Sequence, residues 1–157
     1  MRFGGNVRTA LTAAAALGGH AAYLATVSSD PQWHDVIADL DEHGVDRVFV
    51  EYAAGAHPVS STVIITSDGE RYIAFDDTSL ATTPLPATTT VDAALARASA
   101  LMVDAATAPP GTLDLLKRAR ESGIPIVLDA EREVPGSDIV HELLEVADHL
   151  VLPLQFA

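Results

Sequence analysis

The spacing of apolar positions along the chain predicts an alternation of helices and strands. Residues 10–17, almost all alanine and leucine, predict an opening helix, and the apolar run 21–27 predicts a short strand. In the segment PQWHDVIADLDEHG (31–44), apolar side chains recur at helical spacing until a glycine ends the run. The β-branched and aromatic segment 45–52 then predicts a second strand.

An Asp-Gly pair in the middle of the chain predicts a β-hairpin. The β-rich runs 62–66 and 71–75 lie on either side of Asp68 and Gly69, a pair that favours the tight turns of hairpins. The threonine- and proline-rich segment 78–90 that follows is expected to be extended or a loop.

The second half of the chain repeats a rhythm of strand and helix. Apolar runs predict strands at residues 100–105, 124–130 and 148–154, and amphipathic runs predict helices at residues 91–99, 110–123 and 137–147. Continuous apolar strands that alternate with amphipathic helices are typical of a parallel sheet with helices on both faces. The predicted fold class is therefore α/β, with a mainly parallel sheet.

The composition fits one folded domain and argues against two classes of partner. At 157 residues, with 48% hydrophobic and 20% charged residues, the chain can bury one core, and we expect a single domain over residues 1–157. The formal net charge of -13 repels polyanions, so we expect neither nucleic acid nor a membrane surface as a partner. The chain has no cysteine, which excludes disulfides and cysteine nucleophiles and suits a cytoplasmic location.

The opening segment FGGNVRTALTAAAALGG (3–19) permits three interpretations: a glycine turn that presents a ligand to a helix, an ordinary buried helix, or an export signal. For an export signal, Arg2 and Arg8 would precede the apolar run, and the small residues of GHAAYLA would offer a cleavage site. Glycines and an asparagine are unusual in a charged leader, and no stretch has the roughly twenty consecutive apolar residues that cross a bilayer. We favour a helix of the mature domain, and an exported domain is the alternative.

The residues just before this helix could serve as a ligand site. Gly4 and Gly5 allow a close backbone approach, and the helix start offers unpaired N–H groups. Asn6 can both donate to and accept from a sugar hydroxyl, and Thr9, one helical turn on, would present a hydroxyl at the same place. The simpler interpretation is an N-cap with glycines in a tight turn, and the spacing alone favours it.

Three aspartates lie beside predicted strands. Asp104 and Asp129 follow apolar strands at their carboxyl ends, where open α/β sheets place ligands, and Asp148 lies beside the last strand. Each could accept a hydrogen bond from a hydroxyl or help to hold a metal through water, or could simply cap a helix or start a loop. Together they indicate a crevice at one edge of the sheet.

Arg71 and Arg132 are the basic candidates for an anion site. Arg71 follows the hairpin turn, where it could pair with a phosphate or lie solvated beside Glu70, and Arg132 poses the same choice. The six histidines show no metal-ligand spacing, so we assign none to catalysis or metal binding. No Gly-x-Ser-x-Gly elbow surrounds a serine, which argues against a hydrolase.

Taken in order, five segments resemble the ribokinase-like (PfkB) family of carbohydrate kinases over nearly the whole chain. They are GGNVRTALTAAAALGG, ATVSSDPQWHDVIADLDEHGVD, VIITSDGERYIAFDD, LMVDA with LKRARESGIPIVLDAE, and ADHLVLPLQFA. The resemblance implies a three-layer Rossmann-like fold with a mainly parallel sheet and a small β lid hairpin, whose strands lie at about residues 46–78. It also implies transfer of a phosphoryl group from ATP to a sugar hydroxyl, with ATP and Mg²⁺ as the cofactors of the complete kinase.

The resemblance also implies roles for single residues. Gly5 and Asn6 match the glycine and asparagine that hold sugar hydroxyls in close relatives, and Thr9 stands where many members have a second asparagine. Asp104 lies on the strand that contributes an acidic residue to the sugar pocket in some members, and Arg71 matches an arginine that in some relatives reaches the phosphates from the lid. A sugar or sugar phosphate is the implied substrate, and a homodimer through the lid is an implied assembly.

Departures from the family pattern indicate a partial kinase. Ser28 and His34 replace glycines of the usual vGxD region, and PLQFA stands where many members carry Asn-x-x-Glu. The second signature, Gly-Ala-Gly-Asp, which carries the catalytic aspartate, occurs nowhere in the chain, and the family's first strand would precede Gly4. We therefore expect no catalytic residue and no metal ligand here, and poor or absent phosphoryl transfer by this chain alone. The alternative is a non-catalytic sugar-binding or dimerisation module derived from such a kinase.

Overall fold

The computed structural model describes residues 5–29, 31–54, 60–76, 83–130 and 138–153. The helices of this part of the chain are α1 (Asn6–Ala16), α2 (Pro31–Glu42), α3 (Thr88–Leu95), α4 (Thr112–Glu121) and α5 (Asp138–Val146). The strands are β1 (Ala22–Ser28), β2 (Asp46–Ala53), β3 (Ser60–Ile65), β4 (Arg71–Asp76), β5 (Leu101–Asp104), β6 (Ile126–Asp129) and β7 (His149–Val151). A 3₁₀ turn, Ala105–Thr107, follows β5. Residues 55–59, 77 and 78 of the predicted lid segment, together with Gly4 and Arg132, lie outside the described residues.

Within these ranges the strands pair in three groups, two parallel and one antiparallel. β1 pairs with β2, and β5, β6 and β7 form a parallel sheet in that order. β3 and β4 form an antiparallel hairpin around the turn at Gly69, whose φ of 90° is a conformation that glycine adopts without strain. The predicted fold class, α/β with parallel strand pairing and a small hairpin, is confirmed.

The helix after the hairpin begins earlier than the sequence predicts. The pattern predicts an extended connector through residue 90, and α3 instead begins at Thr88. Three successive threonines disfavour a helix start, because β-branched side chains lose rotamer freedom in a helix. Tertiary structure overrides that preference, since the Glu51 carboxylate accepts hydrogen bonds from the first turn of α3.

Two buried clusters hold the helices on the strands. The larger lies between α4, α5 and the three-stranded sheet, and its fully buried side chains include Leu116, Ala119, Ile126, Leu128 and Leu143. The smaller lies between α2 and the residues that immediately precede β1 and β2, and its buried side chains are Ala21, Ile37, Leu40 and Val45. In both clusters the buried helical residues recur at helical spacing, so the amphipathic pattern of the sequence fixes which face each helix presents to its sheet.

β7 is less covered than a parallel strand usually is. Leu150 and Val151 are 46% and 52% exposed, and successive residues of a strand point to opposite faces. β7 pairs with β6 on one side and has no strand on its other side among the described residues. The predicted coverage of both faces therefore holds for β6, where every side chain is at least half-buried, but not for β7.

Candidate functional site

The start of α1 has the backbone that the sequence predicts for a glycine turn. Gly5 precedes the first helical residue with a φ of 99°, a value that a residue with a side chain rarely adopts. A Cβ at Gly5 would meet no atom of the described residues within 4 Å, so the glycine is required by its conformation rather than by crowding. Asn6 is the first helical side chain after it.

The Thr9 hydroxyl is already oriented by the helix start. Its Oγ1 donates to the Gly5 carbonyl oxygen at 2.9 Å, so its proton is engaged while its lone pairs can still accept a hydrogen bond. Gly5 and Thr9 are thus brought together directly, and Asn6 lies between them on the first turn of α1. The structure places these three predicted residues at one point of the molecule.

Arg8, on the same turn, is engaged in an ion pair with α2. Its guanidinium bonds the Asp39 carboxylate of α2, and both side chains are mostly buried. This pair ties α1 to α2. Arg8 therefore has a structural role, and the other polar side chains of the first turn of α1, Asn6 and Thr9, are neutral.

The packing of α1 directs its start toward the carboxyl ends of the strands. Leu11 and Ala15, in its second half, pack on a cluster that includes Ala21 and Val45, which immediately precede β1 and β2. A helix that packs on the strand it leads into runs antiparallel to that strand. α1 also contacts β5, the strand that ends at Asp104.

Asp104 is buried, and one of its oxygens is already used. Asp104 is only 7% exposed. Its Oδ1 accepts a hydrogen bond from the Ala106 N–H at 2.8 Å, and this bond caps the 3₁₀ turn. Asp129 is its register partner across β5 and β6. The carboxyl ends of these neighbouring strands thus bring two aspartates side by side, as the sequence predicts.

Asp148 belongs to the opposite edge, and its grouping with the other two aspartates is wrong. It precedes β7, and its Oδ2 accepts the Ile126 N–H at 2.8 Å, at the beginning of β6. Its carboxylate therefore ties together the amino ends of β6 and β7. A surface cavity of about 320 Å³ lies beside it, lined also by Arg120, Pro125 and His149.

Arg71 lies on the hairpin, apart from the other candidates. It is the first residue of β4, is paired in register with Ile65, and has an exposed side chain. No hydrogen bond or ion pair of the described residues joins Arg71 to Gly5, Asn6, Thr9 or Asp104. In the hairpin turn itself, the Thr66 hydroxyl bonds the Asp68 carboxylate and lowers the pKa of Asp68.

Glu51 is a structurally engaged carboxylate that the pattern analysis missed. It lies on β2, and its two carboxylate oxygens accept hydrogen bonds from the Ala87 N–H, at 3.0 Å, and from the Thr90 hydroxyl. These bonds, the Thr90 bond first, lower the pKa of Glu51. The only signal in the sequence is a single carboxylate inside the apolar strand VFVEY, which periodicity treats as an outward-facing position.

We expect Glu51 to make the fold less stable in acid. A folded-state pKa below the ordinary value stabilises the protein fully above the unfolded-state pKa, and that stabilisation is lost as the pH falls through the folded-state pKa. The urea midpoint of the native chain should therefore exceed that of Glu51→Gln at neutral pH, and the two midpoints should converge in acid. The measurement is urea unfolding of both proteins at a series of pH values.

The matched control for this pH dependence is Asp68→Asn. Asp68 has a lowered pKa for a similar reason but lies in the hairpin turn. When Asp68→Asn is introduced into both proteins, the difference in urea midpoint between the chain with Glu51 and the chain with Glu51→Gln should stay the same at each pH. Parallel midpoint curves for the native chain and Glu51→Gln over the whole pH range would contradict the expected contribution of Glu51.

The described residues do not form a metal site. They contain no group of three or more histidine, aspartate or glutamate side chains that could hold an ion. Mg²⁺ prefers several oxygen ligands, often shared with substrate phosphates, and a single carboxylate pair across β5 and β6 is a poor protein cage for it. The residues present therefore do not fit a protein-held Mg²⁺, and we derive no chemical step through it.

The helices and strands have the arrangement found in solved ribokinase-like kinases. A protein of Agrobacterium tumefaciens provisionally assigned as a ribokinase is similar, with a TM-score of 0.77 and 30% identity over 95% of this chain and 47% of that one. A PfkB family carbohydrate kinase of Listeria grayi gives a TM-score of 0.78 and 16% identity over 96% of this chain and 52% of that one. The ribokinase of Arabidopsis thaliana, solved with ribose and ATP, gives a TM-score of 0.74 and 20% identity over 94% of this chain and 48% of that one.

Sequence comparison identifies the family. The pattern of the pfkB family carbohydrate kinases matches residues 1–152, and the chain belongs to this family. It spans about half the length of the solved structures that it matches. No curated protein sequence gives a significant match. None of the described helices is long and apolar enough to cross a membrane.

Proposed function

We propose that this chain supplies the sugar-binding and lid part of an ATP-dependent carbohydrate kinase. The observation that carries the proposal is the start of α1, where Gly5 leaves an open approach and Asn6 and Thr9 stand together. An amide beside a hydroxyl suits neighbouring sugar hydroxyls, since each of these groups can donate and accept hydrogen bonds. The net charge of -13 favours a neutral sugar over a sugar phosphate at this point, because no free cation of α1 faces it.

The residues of this chain would bind and orient the acceptor sugar. Asn6 would donate to one hydroxyl and accept from the next, and Thr9, whose proton is engaged by Gly5, would act only as an acceptor. Asp104 has one carboxylate oxygen engaged by Ala106, and its other oxygen would accept from a further sugar hydroxyl. Thr9 in place of a second asparagine removes one donor, which should alter the preference among sugars.

The γ-phosphoryl group would come from ATP, which supplies the phosphate to be transferred when it is bound. On this chain, the exposed Arg71 guanidinium fits a bidentate contact with a phosphate. One arginine does not make a nucleotide site, so the rest of the ATP contacts must come from other polypeptide. A kinase that uses ATP in this way would work in the cytoplasm.

This chain alone would not carry out the reaction. The chain contains no Gly-Ala-Gly-Asp, the signature expected to supply the base and the backbone donors for the transferring phosphoryl group. The exposed apolar residues of β7 and its unpaired side, within the described residues, support the packing of further structure there. The complete kinase would therefore need a second half with about the length that the relatives have beyond this match.

Asn6→Ala in a completed kinase tests the sugar site. The completed kinase joins this chain to the parts of the Agrobacterium tumefaciens protein that the match does not cover. Loss of one hydrogen bond to the sugar costs about 1–2 kcal/mol, so the KM for the sugar should rise about tenfold or more while the KM for ATP stays the same. Steady-state kinetics with varied sugar and varied ATP give both constants.

Thr12→Ala is the matched control for Asn6→Ala. Thr12 lies one turn beyond Thr9 on α1, and its hydroxyl donates to the Thr9 carbonyl oxygen within the helix. Thr12→Ala should leave the KM for the sugar and the KM for ATP unchanged. A sugar KM that is the same in Asn6→Ala and in the parent enzyme would remove Asn6 from the site.

One observation favours a second candidate function, a module that dimerises through the hairpin. Val63, Ile64, Ile65, Tyr72 and Ile73 are all at least half-exposed. A two-stranded hairpin is marginally stable alone in water, so these residues would be stabilised by a second copy of the hairpin. A dimer of the chain that dissociates on Val63→Lys, together with no sugar binding, would favour this candidate.

A further inference from the structure

One side chain joins the two parts of the chain that come before and after the hairpin segment. The chain leaves β2 at Ala53 on its way to β3, and it returns after β4 to α3. Glu51, two residues before the end of β2, accepts a hydrogen bond from Ala87, the residue that precedes α3, and from Thr90 in the first turn. One carboxylate therefore closes a loop of more than thirty residues at its base.

The other end of α3 is held on the same strand by different contacts. Arg97, just after α3, lies 3.6 Å from the Asp46 carboxylate and stacks over the Phe49 ring at 5.2 Å. α3 thus lies along β2, with its start at Glu51 and its end near Asp46. The Asp92 carboxylate of α3 also bonds Arg118 of α4, which ties this helix to the three-stranded sheet.

These contacts divide the attachment of α3 into two parts. Asp46, Phe49 and the Asp92 to Arg118 pair fix the body of the helix. The Glu51 bonds fix its first residues, which are the ones that carry the chain back from the hairpin. Among the described residues, the second part is the one that links β2, which leads into the hairpin segment, to the residues that follow it.

We infer that Glu51 is a positioning residue, which joins the entry and exit of the hairpin segment and so sets where the hairpin and Arg71 stand relative to the rest of the protein. The role of Arg71 toward a phosphate rests on the proposed function, but the position of the hairpin does not. Because Glu51 bonds both a backbone N–H and a hydroxyl, its loss removes two attachments at once. The hairpin should then sample a wider range of positions while β2 and the body of α3 stay in place.

A simple helix cap is the competing explanation, and it makes a different prediction. A cap contributes to the stability of α3 wherever the hairpin stands. Its removal would lower the urea midpoint without changing the distance between the hairpin and the body of the protein. The test must therefore measure that distance, with a second variant that loosens α3 at its other end.

Pulsed electron paramagnetic resonance between two spin labels gives this distance directly. The chain has no cysteine, so single cysteines at two exposed positions, Ala74 on the hairpin and Lys117 on α4, can be labelled without interference. The doubly labelled chain should give one narrow distance distribution. Glu51→Leu should broaden it at least twofold, Thr90→Val, which removes one of the two bonds, should broaden it less, and Glu51→Gln, which keeps an acceptor oxygen, should restore most of the native width.

Asp46→Asn is the matched control, since it removes the ion pair at the far end of α3 from the same strand. It should leave the distribution narrow even if it lowers the urea midpoint. The inference is overturned if Glu51→Leu keeps the native width, or if Asp46→Asn broadens the distribution equally. If Glu51→Leu does not fold, Thr90→Val decides: a native width in that variant also overturns the inference. The measurement contains neither ATP nor sugar, so a failed sugar-site test leaves it unaffected.

Discussion

Alone, the chain should phosphorylate ribose at least about 1,000 times more slowly than the completed kinase, because positioned backbone donors contribute about 10²–10³-fold and a general base about 10²–10⁴-fold to such reactions. Ribose serves as the probe sugar, because the ribokinase of Arabidopsis thaliana, which has a similar fold, was solved with ribose and ATP. Neither the base nor the donors expected of the Gly-Ala-Gly-Asp signature can come from a chain without that sequence. At the carboxyl ends of β5 and β6, one carboxylate oxygen of Asp104 caps the 3₁₀ turn, and Asp129 is the register partner of Asp104.

The measurement is release of ADP that depends on ribose, for the chain and for the completed kinase at equal concentration. Asn6→Ala in both proteins is the control for a contaminating kinase, because a contaminant would not respond to it. A rate for the isolated chain within tenfold of the completed kinase would mean that the catalytic groups lie within these 157 residues. The division of the kinase into a sugar-binding half and a catalytic half would then be wrong.

Leu116→Ala should lower the free energy of unfolding by about 2–5 kcal/mol, the usual cost of a large cavity in a well-packed core. Leu116 is fully buried on α4, in the cluster that also contains Leu143 of α5 and Leu128 of β6. Removing its side chain takes contacts from two helices and the sheet at once, and these elements are too constrained by one another to collapse into the space. Urea unfolding of the chain, followed by circular dichroism, gives the change.

Ile139→Ala is the matched control for Leu116→Ala. Ile139 lies on α5 with 45% of its surface exposed, so its truncation should cost well under half as much. Leu116→Met, which nearly conserves volume, should cost less than about 1.5 kcal/mol. Equal losses for Leu116→Ala and Ile139→Ala would mean that the cluster between α4, α5 and β6 is not the core of the isolated chain.

Much of the fold follows from local sequence. Helical periodicity and apolar runs predict the alternating helices and strands of the second half, because their buried faces are decided within a few residues. The hairpin follows from Asp68 and Gly69, since the turn they favour brings β3 and β4 together without help from the rest of the chain.

What local sequence misses depends on contacts between distant residues. The early start of α3 depends on Glu51, which lies 36 residues before Ala87, and threonine propensity opposes it. Asp148 looks like the other strand-edge aspartates in sequence, but it precedes its strand, so its carboxylate bonds Ile126 at the amino edge. A pattern of residue types shows that a carboxylate lies beside a strand. The exact bounds of that strand and its pairing decide whether the carboxylate lies at the amino edge or at the carboxyl edge of the sheet.

Local sequence likewise predicts the proximity of some candidate site residues but not of others. Gly5, Asn6 and Thr9 are neighbours on one helical turn, so their proximity follows from sequence, and the structure adds the bond from Thr9 to Gly5 that makes Thr9 an acceptor. Arg71 is far along the chain, and its place relative to α1 is set by how the hairpin is held. Pattern alone carries no information on that relation.

The most direct test of the proposed function is a crystal structure of the completed kinase with ribose bound. We predict ribose at the start of α1, with a hydroxyl within about 3.2 Å of the Asn6 side-chain amide and another within the same distance of Thr9 Oγ1. Ribose bound elsewhere, for example in the cavity beside Asp148 and His149, with the start of α1 free of sugar, would contradict the sugar-binding role of this chain.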